Sequence, residues 1–150
     1  MTPSVSRWVA SWPYPFTVEM AEDRVGDASE LNAAGKALLL AIERREDEAL
    51  LGCIGVQRGR HDPRRGGLGY WIGEPYQGQG YATEAAAGVL GPAFRLLDLD
   101  VIEACAQPEN GASFAIMRRL GMKPAGERMV FAPARQREEL CLVYEIVRPA

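Results

Sequence analysis

From Lys36 to Arg44 apolar residues fill both alternating sets, with Leu38, Leu40 and Ile42 on one side and Ala37, Leu39 and Ala41 on the other. That pattern predicts a strand covered on both faces and central in its sheet. The polar run Arg45-Glu46-Asp47-Glu48 is a short turn into a second strand over Ala49–Arg58, so the two form an antiparallel hairpin. Gly52 and Gly55 inside the second strand mark a bulge or a close backbone approach. His61 to Gly67 is a second polar turn, and Leu68–Gly73 is the third strand of the meander. Ala82, Ala86, Val89, Leu90, Ala93, Phe94 and Leu97 then recur at helical spacing, with Pro92 predicting a kink or a break. A strand over Val101–Ala106 follows. Next comes a helix with Ser113, Ile116, Met117 and Leu120 on one face, ended by Gly121. Glu127–Phe131 and Glu139–Val147 read as a closing antiparallel pair. Ahead of all this, residues 1–16 read as irregular, because Pro13 and Pro15 forbid a helix there; Thr17 then caps a helix that ends near Gly26. The order helix, three strands, helix, strand, helix, two strands is that of an α+β (mixed α/β) fold, not a doubly wound one.

The chain has 150 residues, which predicts one domain over 1–150 with a core that needs no staples. A hydrophobic share of 47% and a charged share of 25% are those of a soluble globular protein. The net charge of −3 argues against a nucleic-acid partner. Cys53, Cys105 and Cys141 lie in apolar strand runs without metal-ligand spacing, so they read as buried reduced thiols of a cytoplasmic protein without a metal site. No leader pattern and no apolar run near ~20 residues is present, so no membrane association is expected. The single histidine, His61, lies in a polar turn and leaves no Ser-His-Asp or Cys-His system to assemble.

The candidate chemistry lies in Gly69–Ala87, where an aromatic strand meets the loop Gln77-Gly78-Gln79-Gly80 and then the start of an alanine-rich helix. A strand, a glycine loop and a helix N-terminus together present backbone N–H groups to an anion. A Walker loop is excluded, because Gln79-Gly80 stands where Lys-Ser/Thr is needed. A dinucleotide fingerprint is disfavoured: Thr83 replaces the third glycine, and the loop follows an antiparallel meander instead of opening a βαβ unit.

Gln77-x-x-Gly80-x-Ala82 has the form [Q/R]-x-x-G-x-[G/A] and resembles the acetyl-coenzyme A signature of the GNAT superfamily of N-acetyltransferases. Tyr76 to Ala85 resembles its RimJ/RimL branch, and Pro108-Glu109-Asn110-x-x-Ser113 followed by Arg119-Leu120-Gly121-Met122 resembles that branch's second motif. The resemblance implies a central, mixed, mostly antiparallel sheet flanked by helices, in which the third and fourth strands run parallel and splay apart, often with a bulge in the third. It implies acetyl-CoA as cosubstrate and direct acetyl transfer to a primary amine, on a peptide N-terminus or a small molecule. By the same resemblance, backbone at Trp71 and Ile72 pairs with the pantetheine arm. Gln77, Gly78, Gln79, Gly80, Tyr81, Ala82 and Thr83 cradle the pyrophosphate. Asn110 contacts the arm, although it is equally a good helix N-cap. Ser113 lies near the thioester sulfur and donates a proton to the leaving thiolate, although it is also a small packing residue.

The pattern departs from the family in two places. The tyrosine acid that many members carry seven positions after the asparagine is Met117 here, which leaves Ser113 and the strand phenol Tyr144 as candidate acids. Glu74 and Glu43 are the candidate bases, beside an ordered water. Trp12, Tyr14 and Phe16 either cover the core or form a flap over a substrate pocket. The family opens with an N-terminal strand that this sequence does not show: either the true start lies upstream, or the sheet lacks this edge strand, which would expose a hairpin edge and make a homodimer possible. These departures keep open an alternative from another class, a non-catalytic acyl-CoA-binding regulatory module.

Overall fold

The computed structural model describes residues 1–150. The helices are α1 (Pro3–Ser6), α2 (Val18–Ala33), α3 (Tyr81–Leu96) and α4 (Gly111–Arg119). The strands are β1 (Ala37–Glu43), β2 (Leu50–Arg58), β3 (Arg65–Ile72), β4 (Val101–Ala106), β5 (Lys123–Ala132) and β6 (Arg137–Val147), with a 3-10 turn at Glu74–Tyr76. They form one 6-stranded sheet in the order β1-β2-β3-β4-β6-β5. Only β3 and β4 run parallel; every other neighbouring pair is antiparallel. This is the mixed α+β arrangement expected from the residue pattern. No helix is long and apolar enough to cross a membrane.

Several expectations need correction. Residues 1–16 contain the short helix α1, started by Pro3 in its first turn. The helix capped by Thr17, whose Oγ1 accepts from the Met20 N–H, passes through Gly26 and ends at Ala33. Gly26 lowers helix propensity without stopping the helix. Gly35, at φ +67°, takes the left-handed turn, and the bonds Gly35 N–H to Asn32 and Lys36 N–H to Leu31 close the end. α3 runs unbroken through Pro92. Pro92 cannot bond the Gly88 carbonyl, but Gly88 is exposed and water can reach that group. β1 is an edge strand, not a central one. α2 and α3 both touch β1, yet Leu40 and Ala41 remain exposed, so its apolar residues do not make it central. Along its free edge, Asn32 donates to the Leu39 carbonyl (2.9 Å) and accepts from the Leu39 N–H (2.8 Å), so a side chain imitates a neighbouring strand.

The main core lies on one face of the sheet. Leu68 and Ile72 of β3 point there together with Ile54, Val56, Ile102 and Ala104, under Val89, Ala93 and Phe94 of α3 and Phe114 and Met117 of α4. Side chains buried as fully as Leu97, Leu99 and Ile102 each stabilise the fold by about 1.5–3 kcal/mol.

The parallel pair is short. β3 and β4 are in register at Arg65/Val101, Gly66/Ile102 and Gly67/Glu103, and nowhere further. A clamp explains why the pairing holds at that end. The Arg64 carbonyl accepts from Asp100 N–H (2.7 Å), and the Arg64 guanidinium bonds both Asp98 and Asp100. Arg65 reaches across to Glu103 (3.2 Å) and Glu145 (2.7 Å). Past Gly67 β3 and β4 no longer pair, which leaves a V between them.

Candidate functional site

One wall of the V is the upper half of β3. Gly73 N–H bonds Leu51 O and Gly59 N–H bonds Arg65 O, which sets the alternation of the β2–β3 ladder. Trp71 therefore turns its backbone groups toward β2, while Leu68, Tyr70 and Ile72 turn theirs toward β4. This corrects the expectation for Trp71: the free backbone in the V belongs to Tyr70 and Ile72. It also corrects the expected bulge in β3, whose register with β2 is regular. The irregularity lies in β2, where Ile42 pairs with Gly52 but Glu43 pairs with Leu50, leaving Leu51 extra. Gly52 is required there, because a Cβ would stand 2.0 Å from the Trp71 carbonyl oxygen.

At the top of β3 the chain makes the 3-10 turn and the glycine loop. Gln77 Nε2 donates to the Ile72 carbonyl at 2.9 Å, so this side chain fastens the loop to the strand. Gln79 Nε2 makes a longer bond to the Pro75 carbonyl (3.4 Å). Gly78 and Gly80 both have left-handed backbone, at φ +74° and +83°, and no atom lies within 4 Å of where a Cβ would stand on either. Gly80 is the N-cap of α3 and offers no side-chain cap. The first N–H groups of that helix, at Tyr81, Ala82 and Thr83, therefore have no intrahelical acceptor and face outward with the positive end of the helix dipole. This open concavity suits a phosphate or pyrophosphate.

The other wall is β4 and the start of α4. Asn110 caps α4, its Oδ1 accepting from the Ser113 N–H at 3.3 Å; the amide nitrogen is not used in the cap. Ser113 Oγ lies 2.8 Å from the Tyr70 hydroxyl, which is also 3.3 Å from the Ser113 carbonyl. Burial pushes the Tyr70 phenol above its ordinary pKa, and the Ser113 bond pulls the other way. Tyr70 is absent from the residues singled out in the sequence. The available signal was the alternation of β3, which puts Tyr70 on the same face as Leu68 and Ile72.

Trp71 points to the opposite face of the sheet. Trp12 packs edge-on against it, with ring centroids 5.1 Å apart, and Phe16 lies 5.1 Å from Trp12. The Arg24 guanidinium of α2 stacks 4.3 Å over the Trp12 ring. Tyr14 does not join them and is 58% exposed. The N-terminal segment is tied down by Ala134 N–H to Ala10 O (2.9 Å) and by Arg135 to Ser6 O (2.7 Å). Trp71 Nε1 is buried without a hydrogen-bond partner, an unpaired donor beside this aromatic surface.

The remaining candidates have partners of their own. Glu74 is exposed and accepts from Ser4 Oγ at 2.8 Å, which ties it to α1. Glu43 is exposed at the end of β1. Tyr144 packs on Phe114, with centroids 5.5 Å apart, within the α4 layer.

Residues 1–123 match the acetyltransferase (GNAT) domain family. The N-acetyltransferase p20 of Bacillus licheniformis is 30% identical over 113 residues, an alignment covering 75% of this chain and 64% of that protein. The chain thus spans less than two thirds of that relative's length. Among solved structures, a GNAT-family acetyltransferase of Bacillus anthracis superposes with a TM-score of 0.71 at 25% identity, over 88% of this chain and 75% of that one. The ribosomal-protein-S5-alanine acetyltransferase of Vibrio fischeri gives a TM-score of 0.77 at 20% identity, over 92% of this chain and 79% of that one, a likeness of fold.

Proposed function

Because the chain belongs to the GNAT acetyltransferase family, we propose that it is an acetyl-CoA-dependent N-acetyltransferase of the RimJ/RimL type that transfers acetyl directly to a primary amine. The observation that carries this reading is the V itself. Two parallel strands pair over Arg65–Gly67 and then separate, beside a loop whose two left-handed glycines open onto the uncapped start of α3. An extended pantetheine arm has the right shape to lie in such a gap as an added strand.

In this reading the N–H groups of Tyr81, Ala82 and Thr83 hold the pyrophosphate, and Gly78 and Gly80 keep the approach clear. The backbone of Tyr70 and Ile72 pairs with the arm. The Ile72 carbonyl is already occupied by Gln77, so its N–H is the free group and polarises the thioester carbonyl. The amide nitrogen of Asn110 reaches the arm while its oxygen keeps α4 capped. Acetyl-CoA supplies an activated acyl group: the amine lone pair adds to the carbonyl carbon, the C–S bond breaks, and the sulfur leaves as a thiol once it is protonated. Ser113 stands at the head of α4 to donate that proton, and an ordered water takes the proton the amine must lose. Holding both reactants in one groove supplies much of the acceleration.

The acceptor enters from the face lined by Trp12, Phe16 and Trp71. A protein N-terminus suits a surface that carries these aromatic side chains, and the name of the Vibrio fischeri neighbour lends support. Thiol release from acetyl-CoA with a panel of peptides and small amines tests the reading. Amine-dependent release is expected; acetyl-CoA binding without release from any amine would instead favour the non-catalytic module.

A further inference from the structure

The bond between Tyr70 and Ser113 joins β3 to α4 across the place where β3 and β4 part, and it joins residues 43 positions apart in sequence. It is a side-chain hydrogen bond between the two walls of the V. A serine hydroxyl alone is a poor acid, because giving up its proton leaves an alkoxide. A phenol behind it changes that, since the phenol is the more acidic group and can stabilise the serine oxygen as its proton moves away. Tyr70 is well placed for this. Its ring packs against the core cluster that contains Leu68. Its hydroxyl has two hydrogen-bond contacts, both on Ser113, and the shorter is to Oγ.

Resting on the acetyltransferase reading, we propose that Tyr70 and Ser113 form a two-hydroxyl chain across the V, in which the Tyr70 O–H donates to Ser113 Oγ and so turns the Ser113 O–H toward the departing sulfur of coenzyme A. Tyr70 is a positioning residue and acts through Ser113. As the C–S bond breaks, its electron pair stays on sulfur, and sulfur takes the Ser113 proton. Ser113 Oγ takes the Tyr70 proton, and the phenolate recovers one from solvent, which has received the proton shed by the amine. No oxidant or metal enters the balance.

A donor chain aimed at sulfur stabilises a thiolate in the same place, so it can be read without any acceptor amine. The probe is free coenzyme A bound to the protein, its thiolate followed by ultraviolet absorbance across pH. In the wild type the bound thiol should ionise about one pH unit below free coenzyme A, a tenfold preference for the thiolate. Tyr70→Phe keeps the ring and removes the hydroxyl. It should return most of that shift while acetyl-CoA affinity changes less than about twofold. Ser113→Ala should do the same, and the double variant should add nothing further. With an active amine, kcat should fall about tenfold in Tyr70→Phe with KM for acetyl-CoA unchanged. An identical thiol titration in wild type and Tyr70→Phe, or no shift in the wild type, overturns the chain alone. Failure of the wild type to bind either acetyl-CoA or coenzyme A overturns the acetyltransferase reading itself.

Discussion

Gly80→Ala separates a ligand cradle from an ordinary helix start. Gly80 sits at φ +83°, and no atom lies within 4 Å of the added Cβ, so the methyl group meets no protein neighbour. The folding cost is then the left-handed backbone alone, about 1–2 kcal/mol. In a chain of this size each kcal/mol lowers Tm by about 2–4 °C. The cost in binding has a different origin. The methyl group occupies the space from which a pyrophosphate would approach the N–H groups of Tyr81–Thr83, and losing one hydrogen bond to a charged ligand costs about 1.5–3 kcal/mol. The Kd for acetyl-CoA should therefore rise about tenfold or more. Gly26→Ala is the matched control: its Cβ also meets nothing, but the site is an ordinary helical position in α2. There the same methyl group should stabilise the fold by about 0.5–1 kcal/mol and leave Kd unchanged. Calorimetric melting and titration with acetyl-CoA measure both quantities. Unchanged affinity in Gly80→Ala, alongside the expected drop in Tm, would refute the cradle.

Trp12→Ala should raise KM for a peptide acceptor severalfold and leave the Kd for acetyl-CoA alone, because Trp12 lies on the Trp71 side of the sheet; steady-state kinetics and titration separate the two. Asn32→Ala removes both bonds to the Leu39 backbone and should cost about 1–2 kcal/mol by denaturant melting. The same change frees the β1 edge, so light scattering should show the mass shifting toward dimer or larger. Glu103 is subject to burial, which pushes its pKa up, but bonds to Arg128 and Arg65 outweigh that and hold it below the ordinary value. Its contribution to stability is therefore present above about pH 4.3 and is lost as pH falls through the lower folded value. Glu103→Gln should flatten the acid limb of the stability curve, as followed by melting between neutral pH and about pH 3.

How much of this was legible in the sequence depended on range. Local signals worked where one residue decides the outcome. The Thr17 and Asn110 caps and the Gly121 helix end all form as their residue types require. Gly26 misled because a glycine inside a helix and a glycine beyond its end look alike until the next one, Gly35, is weighed against it. β1 misled because apolar residues on both faces do not report a strand on either side: Leu40 and Ala41 stay exposed in this edge strand. The clamp of Arg64 on Asp98 and Asp100 joins residues 34 and 36 positions apart, and no local pattern shows it. That clamp lies at the end where β3 and β4 pair. The loop motif marked the two left-handed glycines and the uncapped start of α3. The partner that gives Ser113 its chemistry, Tyr70, depended on a contact across the V and was missed.

The most direct test is a crystal structure of the protein with acetyl-CoA. The pyrophosphate should lie on the N–H groups of Tyr81, Ala82 and Thr83, the arm should run between β3 and β4 bonded to Tyr70 and Ile72, and the sulfur should lie within hydrogen-bond reach of Ser113 Oγ. Acetyl-CoA bound elsewhere, with the space between β3 and β4 closed by strand pairing beyond Gly67, would contradict the account.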